Sequence, residues 1–197
     1  MKPIDPAGFE ALFRENTDPW NYASSPFEAF KRRELLRACG TRPYGRGLEL
    51  ACANGETSRH LIRRCLSLLA VDASPTVIAA ARTRVQVPGL TFATARLPED
   101  TPRGPFDLIV ASEILYYLPE TDMALLLDQL MSILAPGGRI VLLHHIVAFD
   151  DAAQPPALAQ ARARTRLGRR LHPVWSRRHR RFEVTALEKA RSGESSR

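Results

Sequence analysis

Long hydrophobic runs are missing from this sequence. No uninterrupted apolar stretch approaches the roughly 18 residues that a membrane-spanning helix needs. The first six residues, Met1 to Pro6, also lack the apolar core of a secretory signal peptide. We therefore expect a cytoplasmic protein that has no membrane partner.

Cysteine is scarce, with 3 in 197 residues. Cys39, Cys52 and Cys65 are odd in number and show no CxxC spacing, so they fit neither a disulfide framework nor a zinc site. We expect reduced thiols, most of them buried, and no bound metal.

Acidic residues are few in the last quarter of the chain. Residues 1–150 carry 16 basic and 17 acidic side chains, whereas residues 151–197 carry 12 and 4. A basic end can attract phosphates or nucleic acid, but no aromatic or glycine interleaving of the RNA-binding type accompanies this one. The pattern favours a solvated surface, with a hairpin tip in solvent formed by Arg177, Arg178, Arg180 and Arg181.

Short apolar strands alternate with helices along the chain. We predict strands at residues 47–52, 67–71, 90–94, 107–112, 139–145, 171–177 and 182–188, and helices at residues 56–65, 74–84, 121–134 and 157–166. The apolar runs are continuous rather than alternating, which indicates a parallel sheet covered on both faces. The predicted fold class is therefore α/β, Rossmann-like and doubly wound.

The length of 197 residues favours one domain. Before the first strand, residues 9–37 read as short helices interrupted by Asp18-Pro19-Trp20. We divide the chain into an amino-terminal helical lid segment at residues 1–45, a ligand-binding domain at residues 46–190 and a disordered tail at residues 191–197.

The turn after the first strand carries the clearest functional signal, because ligands of open α/β sheets bind at this position. Small residues at Ala51, Ala53 and Gly55 allow the backbone to approach a ligand closely. Asp72 follows Glu49 by 23 residues, at the end of the second strand, where an acidic side chain can bind two ribose hydroxyls.

The same turn lacks the G-x-G-x-x-G pattern that a pyrophosphate needs. The acidic Glu49 would repel a phosphate but suits the sulfonium and ammonium of S-adenosylmethionine, which carries no phosphate. The sequence therefore favours a methyl donor over a nicotinamide cofactor.

Several segments resemble the class I S-adenosylmethionine-dependent methyltransferases, and within them the nodulation protein S family. They span roughly residues 9–188 and comprise Asp18-Pro19-Trp20-Asn21-Tyr22, residues 25–28, residues 48–55, Asp72-Ala73-Ser74-Pro75, residues 106–118 and residues 134–138. The resemblance implies a mostly parallel seven-stranded sheet whose last two strands come from the carboxyl end. It also implies N-methylation of an amino sugar in a chitooligosaccharide.

The resemblance further implies a set of cofactor-binding residues. By the resemblance, the methionine end of the cofactor contacts Glu49, Ala51, Ala53, Asn54 and Gly55. The ribose contacts Asp72 and Ala73, and the adenine contacts Arg96 and Leu97. Ser112, at the end of the fourth strand, is a further cofactor-binding residue. The chain departs from the family where an aspartate is usual, because it reads Ala95-Arg96-Leu97-Pro98. Alanines also replace the glycines expected at positions 51 and 53.

Methyl transfer to an amine needs alignment and removal of a proton. A base is expected at the carboxyl ends of the fourth and fifth strands, where the candidates are Glu113, Tyr116, His144 and His145. We favour Glu113 and His144, which match family positions.

Aromatic residues are the candidates for the lid and the substrate wall. Trp20, Tyr22, Tyr116 and Tyr117 can stack on a sugar or flank a sulfonium, with one ring of the tyrosine pair pointing inward. Lys31 is expected to be a solvated helical lysine.

Two alternatives stay open beside methyl transfer to a small amine. One is a methyltransferase that acts on RNA or another macromolecule through its basic end. The other is a non-catalytic adaptor that keeps the fold, which Arg96 and the alanine-rich turn would explain.

Overall fold

The computed structural model describes residues 3–191, so the predicted tail at 191–197 lies outside the described residues except for Arg191. The helices and strands, in chain order, are α1 (Pro6–Glu15), α2 (Pro26–Ala38), β1 (Tyr44–Leu50), α3 (Ser58–Leu61), β2 (Cys65–Asp72), α4 (Pro75–Arg84), β3 (Leu90–Thr94), β4 (Phe106–Ser112), α5 (Glu120–Ile133), β5 (Leu134–His145), α6 (Pro156–Leu167), β6 (His172–Arg178) and β7 (Phe182–Glu188). Short 3₁₀ turns at Ile62–Arg64 and Leu115–Tyr117 follow α3 and β4.

Three helices start in the same way, with a polar cap followed by proline. Asp5, Ser25 and Ser74 each accept a hydrogen bond from the backbone N–H three residues on, at 2.8, 3.3 and 3.1 Å. Proline then occupies the first helical position, where its missing N–H costs nothing.

The seven strands form one sheet in the order β3-β2-β1-β4-β5-β7-β6. Strands β1 to β5 pair in parallel, whereas β7 runs antiparallel to β5 and β6. The predicted Rossmann-like, mostly parallel seven-stranded sheet is therefore confirmed.

Strand β5 shows how the sheet is covered on both faces. Ile140 and Leu142 belong to the core formed with α5 and α6, whereas Val141 and Leu143 belong to the core formed with α2 and α3. Alternate side chains of one strand thus enter two different cores, as a doubly wound fold requires.

The helix predicted at residues 56–65 is only one turn long in the structure. Strand β2 begins at Cys65, which pairs with Tyr44, so both central strands start earlier than their apolar runs suggest. Cys39 and Cys52 are buried and Cys65 is half-buried, and all three are free thiols. Within residues 3–191, every helix is too short or too polar to cross a membrane.

Candidate functional site

The carboxyl ends of the parallel strands open into a cavity of about 670 Å³. Its walls include residues that follow each of β1 to β5, so it spans the point at which the strand order reverses. Helices α1 and α2 and the segment between them line the opposite side. The predicted site residues that line the cavity are Trp20, Tyr22, Glu49, Ala51, Ala53, Asn54, Asp72, Ala73, Leu97, Ser112, Glu113, Tyr116 and Tyr117.

The turn after β1 brings main chain to the cavity in an uncommon conformation. Ala51 and Ala53 have φ values of 53° and 46°, in the left-handed region that favours glycine. An L-residue pays roughly 1–2 kcal/mol for this conformation. The side chain of Asn54 contributes by accepting the N–H of Glu56 at 3.3 Å. The left-handed backbone explains why the family expects glycines at positions 51 and 53.

Gly55 serves packing rather than the cavity. Its φ is 76°, and a Cβ at this position would lie 2.8 Å from Cζ of Phe92. Gly55 does not line the cavity, so the structure does not place it at the predicted contact with the methionine end. A glycine is needed at this position because the turn packs against Phe92 of β3.

Asp72 ends β2 with its carboxylate facing the turn. One carboxylate oxygen accepts the N–H of Ala53 at 3.0 Å and the other accepts the N–H of Ser74 at 3.1 Å. Burial raises the pKa of Asp72, and these N–H groups oppose the shift. Because each oxygen has a second lone pair, the carboxylate can still accept from two hydroxyls in the cavity.

Glu49 is the most unusual charged group of the site. It is 2% exposed, and its Oε2 finds no hydrogen-bond partner among residues 3–191. Burial raises the pKa of Glu49 to about 8, the nearby hydroxyl of Ser58 acts in the opposite direction, and the carboxylate of Asp72 adds to the rise. An unpaired carboxylate buried at a cavity wall is costly unless a ligand supplies a cation or hydrogen-bond donors.

The segment after β3 presents alternate residues to the cavity. Ala95 and Leu97 line it, whereas the side chain of Arg96 is exposed and points away. The N–H of Arg96 donates to Asp100 at 3.0 Å, so it is already engaged. The predicted cofactor contact of Arg96 is therefore not supported, and Leu97 and Ala95 form this wall.

A buried ion-pair network lies beyond the turn, at the end of β4. Glu113, whose φ is 56°, places one carboxylate oxygen 2.5 Å from Nζ of Lys31. Its other oxygen accepts the hydroxyl of Tyr116 at 2.5 Å and the backbone N–H of His145 at 2.8 Å. The ammonium of Lys31 also donates to both oxygens of Glu28 at 3.1 Å.

These contacts fix the charges of the network. Burial acts to raise the pKa of Glu113. The charge of Lys31, together with the hydrogen bonds that Glu113 accepts, lowers this pKa below the usual value. Burial opposes the charge on Lys31, yet the two carboxylates raise its pKa. Lys31 is only 7% exposed, so the expectation of a solvated lysine was wrong.

His144 lies outside the cavity and is fully buried. Its Nδ1 is 2.8 Å from Oε1 of Gln160, and its Nε2 accepts the N–H of Leu115 at 3.2 Å. These two bonds require a neutral ring with the proton on Nδ1. Burial also lowers the pKa of His144 to about 4. Both ring nitrogens are engaged, so the structure assigns His144 a supporting role under the cavity instead of the predicted base role.

The predicted aromatic residues come together in one wall. The rings of Tyr116 and Tyr117 are 4.6 Å apart, and those of Trp20 and Tyr22 are 5.6 Å apart. Phe9 of α1 contacts Tyr117 at 4.8 Å. Tyr116 is 3% exposed and belongs to the core, whereas Tyr117 is half-buried, and both contact the cavity.

Helix α1 is held over the cavity at both of its sides. The carboxylate of Glu10 accepts the hydroxyls of Ser74 and Thr76 at the start of α4, both at 2.6 Å. Ahead of the helix, the N–H of Ile4 donates to the carbonyl of Asp151 at 2.9 Å. The amino-terminal segment thus bridges the two rims of the cavity.

Sequence reasoning missed a second charged group in the wall. Glu56 is 1% exposed and pairs with Arg59 and Arg84, while Arg32 of α2 lies 3.5 Å away. Arg32 also donates to the carbonyl of Tyr22 at 3.2 Å. The most distant of these partners, Arg84, lies 28 positions from Glu56 in the sequence, so no local pattern indicates the pair.

The arginines at the carboxyl end lie exposed around the turn between β6 and β7, and three of them make further contacts. Arg177 pairs with the buried Glu34 at 3.4 Å, and Arg178 pairs with Glu183 at 3.3 Å. Arg181 lines the cavity mouth, with its guanidinium 4.1 Å from the ring centroid of Phe27. Arg177, Arg178, Arg180 and Arg181 are all exposed, as the predicted solvated tip requires, whereas the ion pairs and the contact with Phe27 were not predicted.

The model of the nodulation protein S family matches residues 7–145. The chain belongs to the nodulation protein S family. Nodulation protein S from Rhizobium tropici is 32% identical over 127 residues, which cover 63% of this chain and 53% of that protein. The chain spans 53 to 61% of the three nodulation proteins S that it matches, so it covers only part of their length.

Solved and curated relatives extend this comparison. The fold is similar to the N-methyltransferase NodS from Bradyrhizobium japonicum WM9 in complex with S-adenosyl-L-homocysteine, with a TM-score of 0.78, 27% identity, and coverage of 92% of this chain and 97% of that one. Trans-aconitate 2-methyltransferase from Methylobacterium radiotolerans is 32% identical over 172 residues, covering 79% of this chain and 65% of that protein. The predicted membership of the class I methyltransferases, within the nodulation protein S family, is confirmed.

Proposed function

We propose that this chain is an S-adenosylmethionine-dependent methyltransferase. The observation that carries the proposal is the buried, unpartnered Oε2 of Glu49 in the cavity wall. S-Adenosylmethionine carries an ammonium and a sulfonium and no phosphate, so its methionine end satisfies this carboxylate. The complex of the Bradyrhizobium japonicum relative with S-adenosyl-L-homocysteine supports the same ligand class.

The residues of the cavity fit the rest of this ligand. Ala51 and Ala53 expose main chain in the turn, and Asp72 keeps free lone pairs suited to ribose hydroxyls. Ala95 and Leu97 offer an apolar wall to a base. When bound, S-adenosylmethionine supplies a methyl carbon on a positively charged sulfur. The lone pair of an acceptor atom attacks this carbon, and the sulfur leaves as a neutral thioether. The protein then supplies alignment and a site from which water is excluded.

The acceptor that we propose is a small amine. The cations near the end of β4 are already compensated, because Lys31 pairs with Glu28 and Glu113. At that end a carboxylate acceptor would meet only the guanidinium of Arg181 at the cavity mouth, whereas an amine meets carboxylates and aromatic faces. The acceptor therefore differs from the carboxylate that the name of trans-aconitate 2-methyltransferase implies for that relative.

Within the amines, we propose an amino sugar of a chitooligosaccharide as the acceptor. Family membership supports this choice, as do the rings of Trp20, Tyr22 and Tyr117, which form a wall on which a sugar can stack. Trp20 is 38% exposed and lies at the cavity mouth, where a longer chain would extend.

The two alternatives have less support in the geometry. An RNA acceptor would use the basic end, where Arg177 and Arg178 are exposed but partly neutralised by ion pairs with Glu34 and Glu183. An adaptor that had lost its ligand would have no use for the unpaired Glu49, which destabilises the fold without a cationic partner.

Calorimetric titration with S-adenosyl-L-homocysteine tests the proposal. We expect saturable binding by the wild type and at least tenfold weaker binding, about 1.4 kcal/mol, by Glu49→Gln and by Asp72→Asn. Glu15→Gln is the matched control, because Glu15 is exposed and outside the cavity. A folded wild type that does not bind the ligand would overturn the methyltransferase function.

The acceptor is tested separately, by incubation with labelled S-adenosylmethionine and either glucosamine, a chitotetraose with a free amine at its nonreducing end, or trans-aconitate. We expect label in the amines. Label in trans-aconitate alone would contradict the amine and leave methyl transfer in place.

A further inference from the structure

An amine acceptor poses a chemical requirement that the residues named so far do not meet. At neutral pH an aliphatic amine is protonated and has no lone pair with which to attack a methyl carbon. A group in the cavity must therefore accept a proton. The inference drawn here rests on the proposed function, since it concerns the base that an amine acceptor needs.

The ionisable groups at the end of β4 are unsuited to this task. Glu113 is an anion that is paired with Lys31 and accepts from the hydroxyl of Tyr116 and the N–H of His145. Its pKa lies below the usual value, so it is a weak base. Lys31 is held protonated, and the hydroxyl of Tyr116 is already donated to Glu113.

His145 is placed differently from each of these groups. It ends β5, lines the cavity and is half-buried, and its neighbour in the wall is Phe149, whose ring centroid is 6.0 Å away. Neither of its ring nitrogens has a hydrogen-bond partner within the described residues, whereas both nitrogens of His144 are engaged. We propose that His145 is the general base that takes the proton from the acceptor amine.

The backbone of His145 is fixed while its ring is free. Its N–H donates to Oε2 of Glu113 at 2.8 Å, and it pairs with Phe182 across β7. The network of Lys31 and Glu113 therefore positions the residue without occupying the imidazole.

The charges that face the ring come from three elements. Burial lowers the pKa of His145, the carboxylate of Glu113 raises it, and the charges of Lys31 and Arg181 lower it. The net shift of the pKa is downward, which favours the neutral ring, and the neutral ring has a lone pair that can accept a proton.

The proton balance of the step is simple. An N–H bond of the acceptor ammonium breaks and an N–H bond forms on the imidazole, which leaves a neutral amine and an imidazolium. The imidazolium returns its proton to water, because the ring is partly exposed at the cavity mouth.

The test compares His145→Asn and His145→Ala with the wild type, using S-adenosylmethionine and either glucosamine or the chitotetraose with a free terminal amine. We expect kcat/KM for the amine to fall about 10²- to 10⁴-fold in both variants. Binding of S-adenosyl-L-homocysteine should change less than about twofold, since ligand binding is assigned to other residues. His172→Asn is the control, because His172 is exposed on β6 and outside the cavity.

Two further readouts separate a base from a merely structural residue. The fall in kcat/KM on the acid side of the pH profile should reflect His145 in the wild type and should move up to the pKa of the acceptor amine in His145→Asn, because only the free amine then reacts. Added imidazole should restore part of the activity of His145→Ala. Wild-type rate and pH profile in His145→Asn would overturn this inference and leave the proposed function intact.

Failure of the proposed function gives a different result. If the wild type binds S-adenosyl-L-homocysteine but methylates neither amine at any pH, the amine acceptor is wrong. That outcome would also overturn the role of His145, while the cofactor site would stand.

Discussion

His144 and His145 are consecutive on strand β5, yet only His145 lines the cavity. His144 shares its face with Leu142 and reaches Gln160 of α6, whereas His145 shares its face with Leu143 and with the core formed by α2. The two-residue period of the strand thus separates a histidine that supports the floor of the site from one that faces the ligand space.

The high pKa of Glu49 predicts that ligand binding is linked to proton release. With a pKa of about 8 in the free protein, most Glu49 is protonated at pH 7, and a cationic ligand favours the ionised form. Apparent affinity for S-adenosyl-L-homocysteine should therefore rise from pH 6 to pH 8, by up to about tenfold per pH unit. Calorimetry in buffers of different ionisation enthalpy measures the released proton. Glu49→Gln should abolish the release, and an unchanged release in that variant would contradict the assignment.

The same residue should reduce the stability of the ligand-free protein. The pKa of Glu49 is about 8 when folded against 4.5 for an ordinary glutamate, so between these values the native state holds a proton that the unfolded state has lost. Stability from this group is therefore lost as pH rises from 4.5 to 8. We expect Glu49→Gln to have a higher Tm than the wild type at pH 8 and a smaller difference at pH 5. Parallel Tm curves for the two proteins across this range would argue against a buried, unpaired carboxyl.

The left-handed turn predicts that glycine stabilises this chain at a position where it has alanine. Ala51→Gly relieves a conformation that costs roughly 1–2 kcal/mol, while glycine loses about 0.5–1 kcal/mol through the entropy of the unfolded chain. We expect the free energy of unfolding to rise by up to about 1.5 kcal/mol, as the difference of these terms. Ala124→Gly within α5 is the control and should lower it by about 1 kcal/mol. Urea denaturation measures both, and similar losses in the two variants would contradict the left-handed φ.

The contacts of Glu10 predict that helix α1 controls ligand exchange. Hydrogen bonds from Ser74 and Thr76 lower the pKa of Glu10 to about 2, so the carboxylate is in place at all pH values above about 4.5 and is lost only as pH falls through about 2. Glu10→Gln keeps one acceptor oxygen and loses the charge at the start of α4. We expect the dissociation rate of S-adenosyl-L-homocysteine to rise about 3- to 10-fold, as loss of a charged hydrogen bond would give.

Stopped-flow fluorescence of Trp20, which lies near Phe13 of α1, follows this exchange. Glu15→Gln, at the end of the same helix, is the control. Equal dissociation rates in the wild type and Glu10→Gln would show that α1 does not limit exchange.

Local chemistry in the sequence was sufficient to predict the frame of this protein. Continuous apolar strands separated by helices required a doubly wound parallel sheet, because such strands must be covered on both faces. The turn at residues 48–55 and Asp72 lay at ends of adjacent strands, so their meeting at one edge followed from the topology.

Only the tertiary structure decided which charges meet in the cavity. Lys31 reaches Glu113 across 82 positions, and no period or spacing in the sequence encodes that contact. His144 and His145 could not be separated in advance, because a strand buried on both faces has apolar neighbours on either side. Arg96 lies outside the site for a related reason. Alternate residues after β3 face the cavity, and which ones do so depends on the residue at which the strand ends. The sequence by itself determined the sheet, the turn and the acidic residue of β2, whereas the packing of α2 and β5 against them decided the ion-pair network and which histidine lines the cavity.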